Sequence, residues 1–323
     1  MIARRKIVVA LGAGALTPLT AFAQQPTPIP TVGVLGADAG DRMANLRAGL
    51  RALGYVEGRN IRLLERAVGE RYENMAEILN EYARLKVDVI VTMGSTATEA
   101  AAKATSTIPV VMVSGFDPVK AKLAASLARP GGNVTGVSVI LQELTAKRLQ
   151  LTKELLPGLR HVGVLWNPDS RASANSLPIA QAAAKVLNLQ LHLVEAREPG
   201  QFDQAFDALA KARVNAFLLL TSSLFQTNRK RLLDSALKHR LAAIGSFPAW
   251  GDMGALIAYG PNEGESYRRI ATYVDKILKG VKPGDIPIEQ PTTFEFVVNL
   301  KTAKALGIKV PQTILIQATK VIE

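Results

Sequence analysis

Short apolar runs alternate along this chain with longer stretches of helical periodicity, and the whole alternation occurs twice. The first copy opens with Val32-Gly33-Val34-Leu35-Gly36, and the second, about 130 residues further on, with Val162-Gly163-Val164-Leu165-Trp166. Each run passes through a polar loop into a helix rich in alanine and leucine, ending at Leu53-Gly54 in one copy and Leu187-Asn188 in the other. Second strands follow at Ile61 to Glu65 and Leu189 to Glu195, then helices over Glu73 to Leu85 and Gln201 to Ala212. Strands at Val87 to Met93 and Val214 to Leu220 come next, and Val110 to Val113 matches Ala242 to Ser246. Continuous apolar strands alternating with helices predict parallel sheets covered on both faces. The expected class is therefore α/β: two doubly wound parallel-sheet lobes joined by a hinge.

In such sheets a ligand binds beyond the carboxyl ends of the strands. Facing lobes would bring the loops Gly36 to Asp41, Gly94 to Thr98, Ser114 to Pro118, Trp166 to Ser170, Thr221 to Leu224 and Ser246 to Trp250 to one cleft. Linker-like segments near Gly136 to Gln142, Pro248 to Gly254 and Gly280 to Pro291 are the expected hinge crossings. The division that follows is a first lobe of residues 31–137 plus 255–285 and a second of 138–254 plus 286–323.

Candidate ligand contacts come from these loops. Ser95 and Thr96 open a helix directly after a strand, where free backbone N–H groups and the helix dipole suit a carboxylate or phosphate. Either could equally be an N-cap. Ser222 stands at the equivalent place in the second copy, and Gly36 opens the first of the converging loops. Asp117, before Pro118, suits a ligand ammonium or a helix cap. Asn167 in Asn167-Pro168-Asp169 offers the same two readings. Trp166, Phe247 and Trp250 stand near strand ends, where an aromatic ring can stack on a planar ligand or simply pack the lobe edge.

The amino terminus addresses the compartment. Arg4, Arg5 and Lys6 precede an apolar stretch from Ile7 to Leu16, and Ala21-Phe22-Ala23 has the form of a cleavage site. This order predicts a secretory signal peptide over residues 1–23, with Sec and Tat export both open. The sequence has no cysteine, so disulfides, thiolate metal sites and a lipoprotein anchor are excluded, and the periplasm is the expected location. A formal charge of +12 raises nucleic acid as a partner. The basic residues are dispersed over helix faces, however, with no helix-turn-helix or aromatic-basic stripe, so none is expected. Catalysis finds little support: there is no G-x-S-x-G elbow, and His161, His192 and His239 show no metal-ligand spacing. No catalytic residue, metal or cofactor is expected.

The run Asp117-Pro118-Val119, continuing through Leu123-Ala124-Ala125-Ser126-Leu127-Ala128-Arg129-Pro130-Gly131-Gly132-Asn133-Val134-Thr135-Gly136-Val137, resembles the tryptophan/tyrosine-type family of ABC-transporter substrate-binding proteins. So do Leu53-Gly54-Tyr55-Val56-Glu57-Gly58 and Asn299-Leu300-Lys301-Thr302-Ala303-Lys304-Ala305-Leu306-Gly307. The resemblance implies a type I periplasmic-binding fold and, as partners, an inner-membrane permease with its ATPase. The resulting expectation is a monomeric periplasmic binding protein that captures a small carboxylate-bearing solute, with an amino acid as first choice. A periplasmic sensor for a membrane kinase and an enzyme on the same fold are the alternatives.

Overall fold

The central strands form where the sequence is apolar without interruption, and the edge strands where it alternates. A computed structural model describes residues 28–36, 40–68, 74–139 and 143–323; the expected signal peptide lies outside them. The first lobe runs β1 (Thr31–Gly36), α1 (Gly40–Ala52), β2 (Arg62–Ala67), α2 (Met75–Arg84), β3 (Val89–Met93), α3 (Ser95–Ala104), β4 (Val110–Ser114) and β5 (Val134–Ser138). Its five strands are all parallel, in the order β2-β1-β3-β4-β5. Every residue of β1, β3 and β4 is buried, whereas the edge strand β2 alternates along Arg-Leu-Leu-Glu-Arg-Ala. Helices on both faces of the sheet account for that contrast.

The second lobe continues with α4 (Leu144–Leu155), β6 (His161–Trp166), α5 (Arg171–Val186), β7 (Gln190–Glu195), α6 (Phe202–Lys211) and β8 (Ala216–Leu219). It goes on through α7 (Ser223–Thr227), α8 (Arg229–Lys238), β9 (Ala242–Gly245), α9 (Pro248–Asp252) and β10 (Ile257–Gly260). The chain then returns to the first lobe as α10 (Glu263–Leu278), and ends in the second as β11 (Glu295–Asn299), α11 (Leu300–Leu306), α12 (Gln312–Gln317) and β12 (Lys320–Ile322). The seven strands lie in the order β12-β11-β10-β9-β8-β6-β7 and are parallel except where β10 meets β11.

The repeated Val-Gly-Val-Leu has a packing cause. A Cβ on Gly33 would come within 2.8 Å of the Tyr82 ring of α2, and one on Gly163 would collide with Leu209 of α6. Glycine in the same place on β1 and β6 thus lets the same covering helix lie close on each sheet. Gly49 does the equivalent for the lobe's return helix, because a Cβ there would stand 2.6 Å from the Arg268 carbonyl of α10. The Tyr55 hydroxyl then donates to Asp275 at 3.0 Å and ties α10 to the turn after α1.

The expected lobe boundaries need correction at two places. Residues 257–260, assigned to the first lobe, form β10 and belong to the second sheet, because Ile257 and Ala258 pair with Ile244 and Gly245 of β9. Residues 286–289, assigned to the second lobe, extend the first: the Ile288 amide donates to Leu127, the Glu289 amide to Gly136, and the Ser138 amide to Glu289. The segment Pro248 to Gly254 is no crossing either, since it is largely α9, anchored by the buried Trp250. The lobes are joined after β5, between β10 and α10, and at the stretch 290–294 before β11.

Candidate functional site

A cavity lies between the lobes at the carboxyl ends of both sheets, enclosing about 450 Å3 of non-atom space with its open mouth included. From the first lobe it is lined by the β3–α3 and β4 loops, through Gly94, Ser95, Ser114 and Gly115. The second lobe contributes Ser170, Thr221, Ser222, Ser223, Gln226 and Phe247. A strand that ends under a covering helix must turn sharply there, and Gly94 does so at φ +115°, a conformation that favours glycine. The turn sets Ser95 at the first position of α3, where its Oγ accepts from the Gly115 amide at 3.2 Å. In the second lobe Asn167 braces the wall: its Nδ2 lies 3.5 Å from Ser222 Oγ, and its Oδ1 accepts from the Asp169 amide at 2.9 Å.

The charged part of the wall comes from α1 and α10. Arg42 and Glu263 form an ion pair at 3.2 Å with side chains only 11% and 13% exposed. The Arg42 guanidinium also lies 5.8 Å from the centre of the Tyr267 ring, within reach of a cation–π attraction. Burial pushes the Tyr267 hydroxyl well above the ordinary tyrosine range, so it stays neutral at the cavity wall. Below the wall, Trp250 Nε1 donates to Gln226 Oε1 at 3.1 Å, which fixes the Gln226 amide and leaves its NH2 as the free donor. The arrangement offers hydroxyls, an amide, one paired cation and anion, and two aromatic edges. Among the described residues no group of three or more His, Cys, Asp or Glu is placed to hold a metal.

Of the residues singled out in the sequence, Ser95, Ser222 and Phe247 line this cavity, and six others do not. Asp117 is a cap: its Oδ1 accepts from the Val119 amide at 2.9 Å and the Lys120 amide at 3.2 Å. Thr96 follows Ser95 but turns away from the lining, as a helical step of about 100° requires. Gly36 packs on β3, where a Cβ would stand 2.7 Å from the Met93 Cβ. Trp166 packs on the second lobe's apolar cluster, and its buried Nε1 has no hydrogen-bond partner among the described residues. Asn167 and Trp250 act on Ser222 and Gln226 from behind. Arg42, Glu263, Tyr267 and Gln226 were not among the expected residues. Arg42 lies one residue past the expected loop, and Glu263 and Tyr267 stand on α10, a segment assigned to the first lobe but not to the cleft.

The two lobes touch across the cavity. A Cβ on Gly94 would stand 2.9 Å from Ser223 Oγ of the other lobe, and Arg171 Nε of α5 lies 3.0 Å from Glu99 Oε1 of α3.

Known proteins share this fold. The chain is 27% identical over 256 residues, 79% of its length and 73% of the relative's, to a tyrosine-binding protein of Clostridioides difficile (strain R20291). It superposes with a TM-score of 0.81 and 23% identity on the ABC domain in complex with L-Trp from Streptococcus pneumonia, covering 91% of this chain and 99% of that one. With the ligand-free, open structure of a substrate binding protein with adhesive properties from Clostridium difficile, the same coverage gives a TM-score of 0.63 at 21% identity. The family model for ABC transporter substrate binding proteins matches residues 34–322. Two sheet lobes, a cleft at their carboxyl ends and a family match over nearly the whole chain lead to one conclusion: this chain belongs to the ABC transporter substrate binding protein family.

Proposed function

We propose that the chain is the periplasmic solute-binding component of an ABC import system, and that it captures a free amino acid between its lobes. The observation that carries the reading is the Arg42–Glu263 pair in the cavity wall. A lone cation in a narrow cleft would select an anion, and a lone anion a cation. A pair that already neutralises itself favours a ligand with both charges, whose carboxylate extends toward Arg42 and whose ammonium extends toward Glu263. The four charges then alternate in sign. Ser95, Ser114, Ser222 and the Gln226 amide supply the remaining hydrogen bonds, and Phe247 and Tyr267 flank an apolar side chain. The names of the tyrosine-binding relative and the L-Trp complex support an aromatic amino acid.

On this reading residues 1–23 are a cleaved signal peptide, the mature protein is a monomer, and its partners are an inner-membrane permease and ATPase. The lobe contacts at Gly94–Ser223 and Arg171–Glu99 belong to the closed form. The higher TM-score with the L-Trp complex than with the ligand-free, open structure agrees with closure. Native mass spectrometry of freshly purified protein tests the proposal. The expected result is a retained solute with the mass of an amino acid; a retained sugar or dicarboxylic acid would overturn it.

A further inference from the structure

We propose that His161 and His192 form a two-imidazole site for a divalent transition-metal ion on the second lobe, with Cu2+ held most tightly. In the sequence the two are 31 residues apart and unrelated by any motif, but the sheet brings them together. β6 and β7 are parallel with His161 opposite Gln190 and Gly163 opposite His192. The pleat therefore sets His161 and His192 on one face as diagonal neighbours. That face is the one toward α6, since a Cβ on Gly163 would meet Leu209, Phe217 and Val214.

His161 Nδ1 lies 3.1 Å from His192 Nε2, with ring centroids 5.3 Å apart and planes inclined by 45°. A metal–nitrogen bond of about 2.05 Å puts two imidazole nitrogens about 2.9 Å apart at a right angle and about 3.3 Å apart at the tetrahedral angle. The observed spacing falls between these. In the metal-free pair one facing nitrogen carries a hydrogen and donates to the other. Binding needs both facing nitrogens as lone pairs, so the donor ring shifts its hydrogen to its far nitrogen, and a small ring rotation aims both lone pairs at one point. His161 is exposed and His192 half-buried, so water can fill the remaining positions. Among the described residues no third His, Cys, Asp or Glu joins them. Two imidazoles and water suit Cu2+, Ni2+ and Zn2+, with Cu2+ ahead in the usual affinity order. His161 begins β6 while the solute cleft lies past its other end, about 16 Å along the strand at 3.3 Å per residue, so the two sites are separate.

The test is Cu2+ titration of tag-free protein lacking residues 1–23, followed by calorimetry and electron paramagnetic resonance. The expected result is one equivalent bound with micromolar affinity and two nitrogen ligands. His161→Gln and His192→Gln should each weaken it at least about tenfold, with unchanged melting. His239→Gln should leave it intact, because His239 caps the C-terminal end of α8 with its Nδ1 bonded to the Ser235 carbonyl. The proposal fails if wild-type protein takes up no Cu2+ in this range. It also fails if either His161→Gln or His192→Gln binds Cu2+ as tightly as wild type, or if loss of His239 abolishes binding.

Discussion

Replacing Gly94 by alanine separates what the turn costs from what lobe closure costs. Gly94 has φ +115° and ψ 164°, a region that residues with a Cβ rarely enter. Forcing alanine into it costs about 1–3 kcal/mol whether the lobes are open or closed. That part lowers the denaturation midpoint and leaves affinity alone. The second part exists only on closure: the new Cβ would stand 2.9 Å from Ser223 Oγ, short of ordinary contact, while the Ser223 Cβ is at 4.0 Å. Overpacking of this kind costs about 1–3 kcal/mol, and a serine hydroxyl that can change rotamer puts it near the lower bound. Solute affinity should then fall roughly five- to tenfold. Ser223→Ala removes the clashing atom, so the double variant should recover most of the affinity but none of the stability. Calorimetry and urea melts on the four proteins complete the cycle, with Ser223→Ala alone showing what Ser223 gives the ligand directly. If Gly94→Ala binds as tightly as wild type, or Ser223→Ala restores nothing, the lobes do not close along this contact.

Glu263→Gln and Arg42→Gln should each lose on the order of 2–5 kcal/mol of solute binding, hence thirtyfold or more by calorimetry, because each removes one of the two wall charges toward which the zwitterion extends. Asp117→Ala should keep solute affinity within about twofold and lose about 1 kcal/mol of stability in urea melts, as a cap does. Arg171→Ala removes the interlobe ion pair; with Arg171 46% exposed the pair contributes only about 0.5 kcal/mol, so affinity should fall about twofold and the difference should vanish in high salt. Glu289 accepts from Arg269 at 2.8 and 2.6 Å, and this guanidinium holds its carboxyl below the ordinary value of 4.5. A depressed carboxyl pKa gives stability that is present above pH 4.5 and lost as pH falls through the lowered value. Acid melts of Arg269→Gln should therefore show a flatter decline below pH 4.5 than wild type.

The two-lobe fold was legible because its cause is local. Uninterrupted apolar runs such as Val110 to Val113 can only be buried on both faces, and the paired glycines Gly33 and Gly163 mark the same strand in each lobe. Residues 255–285 were expected in the first lobe, but the element on which α10 packs was not legible, because the buried residues along Glu263–Leu278 mark a face to be covered without saying what covers it. Its partner is set by Gly49 of α1, which is far away in sequence. The same gap hid Glu263 and Tyr267 from the candidate site. Asp117 shows another limit: aspartate before proline suits a cap and a ligand ammonium equally well in the sequence, and the structure adds the Val119 and Lys120 amides that its Oδ1 accepts from. Ser95 and Ser222 were visible because a strand running straight into a helix fixes where the next hydroxyl stands.

The claim that the Arg42–Glu263 wall selects a zwitterion is tested most directly by calorimetry with the wild-type protein and two matched sets of ligands. One set is L-tyrosine, tyramine and 3-(4-hydroxyphenyl)propionate; the other is L-tryptophan, tryptamine and indole-3-propionate. The account predicts that at least one amino acid binds and that both of its single-charge analogues lose about thirtyfold or more in affinity, since each leaves one wall charge without its ligand partner. Binding of either analogue as tightly as its parent amino acid would contradict it.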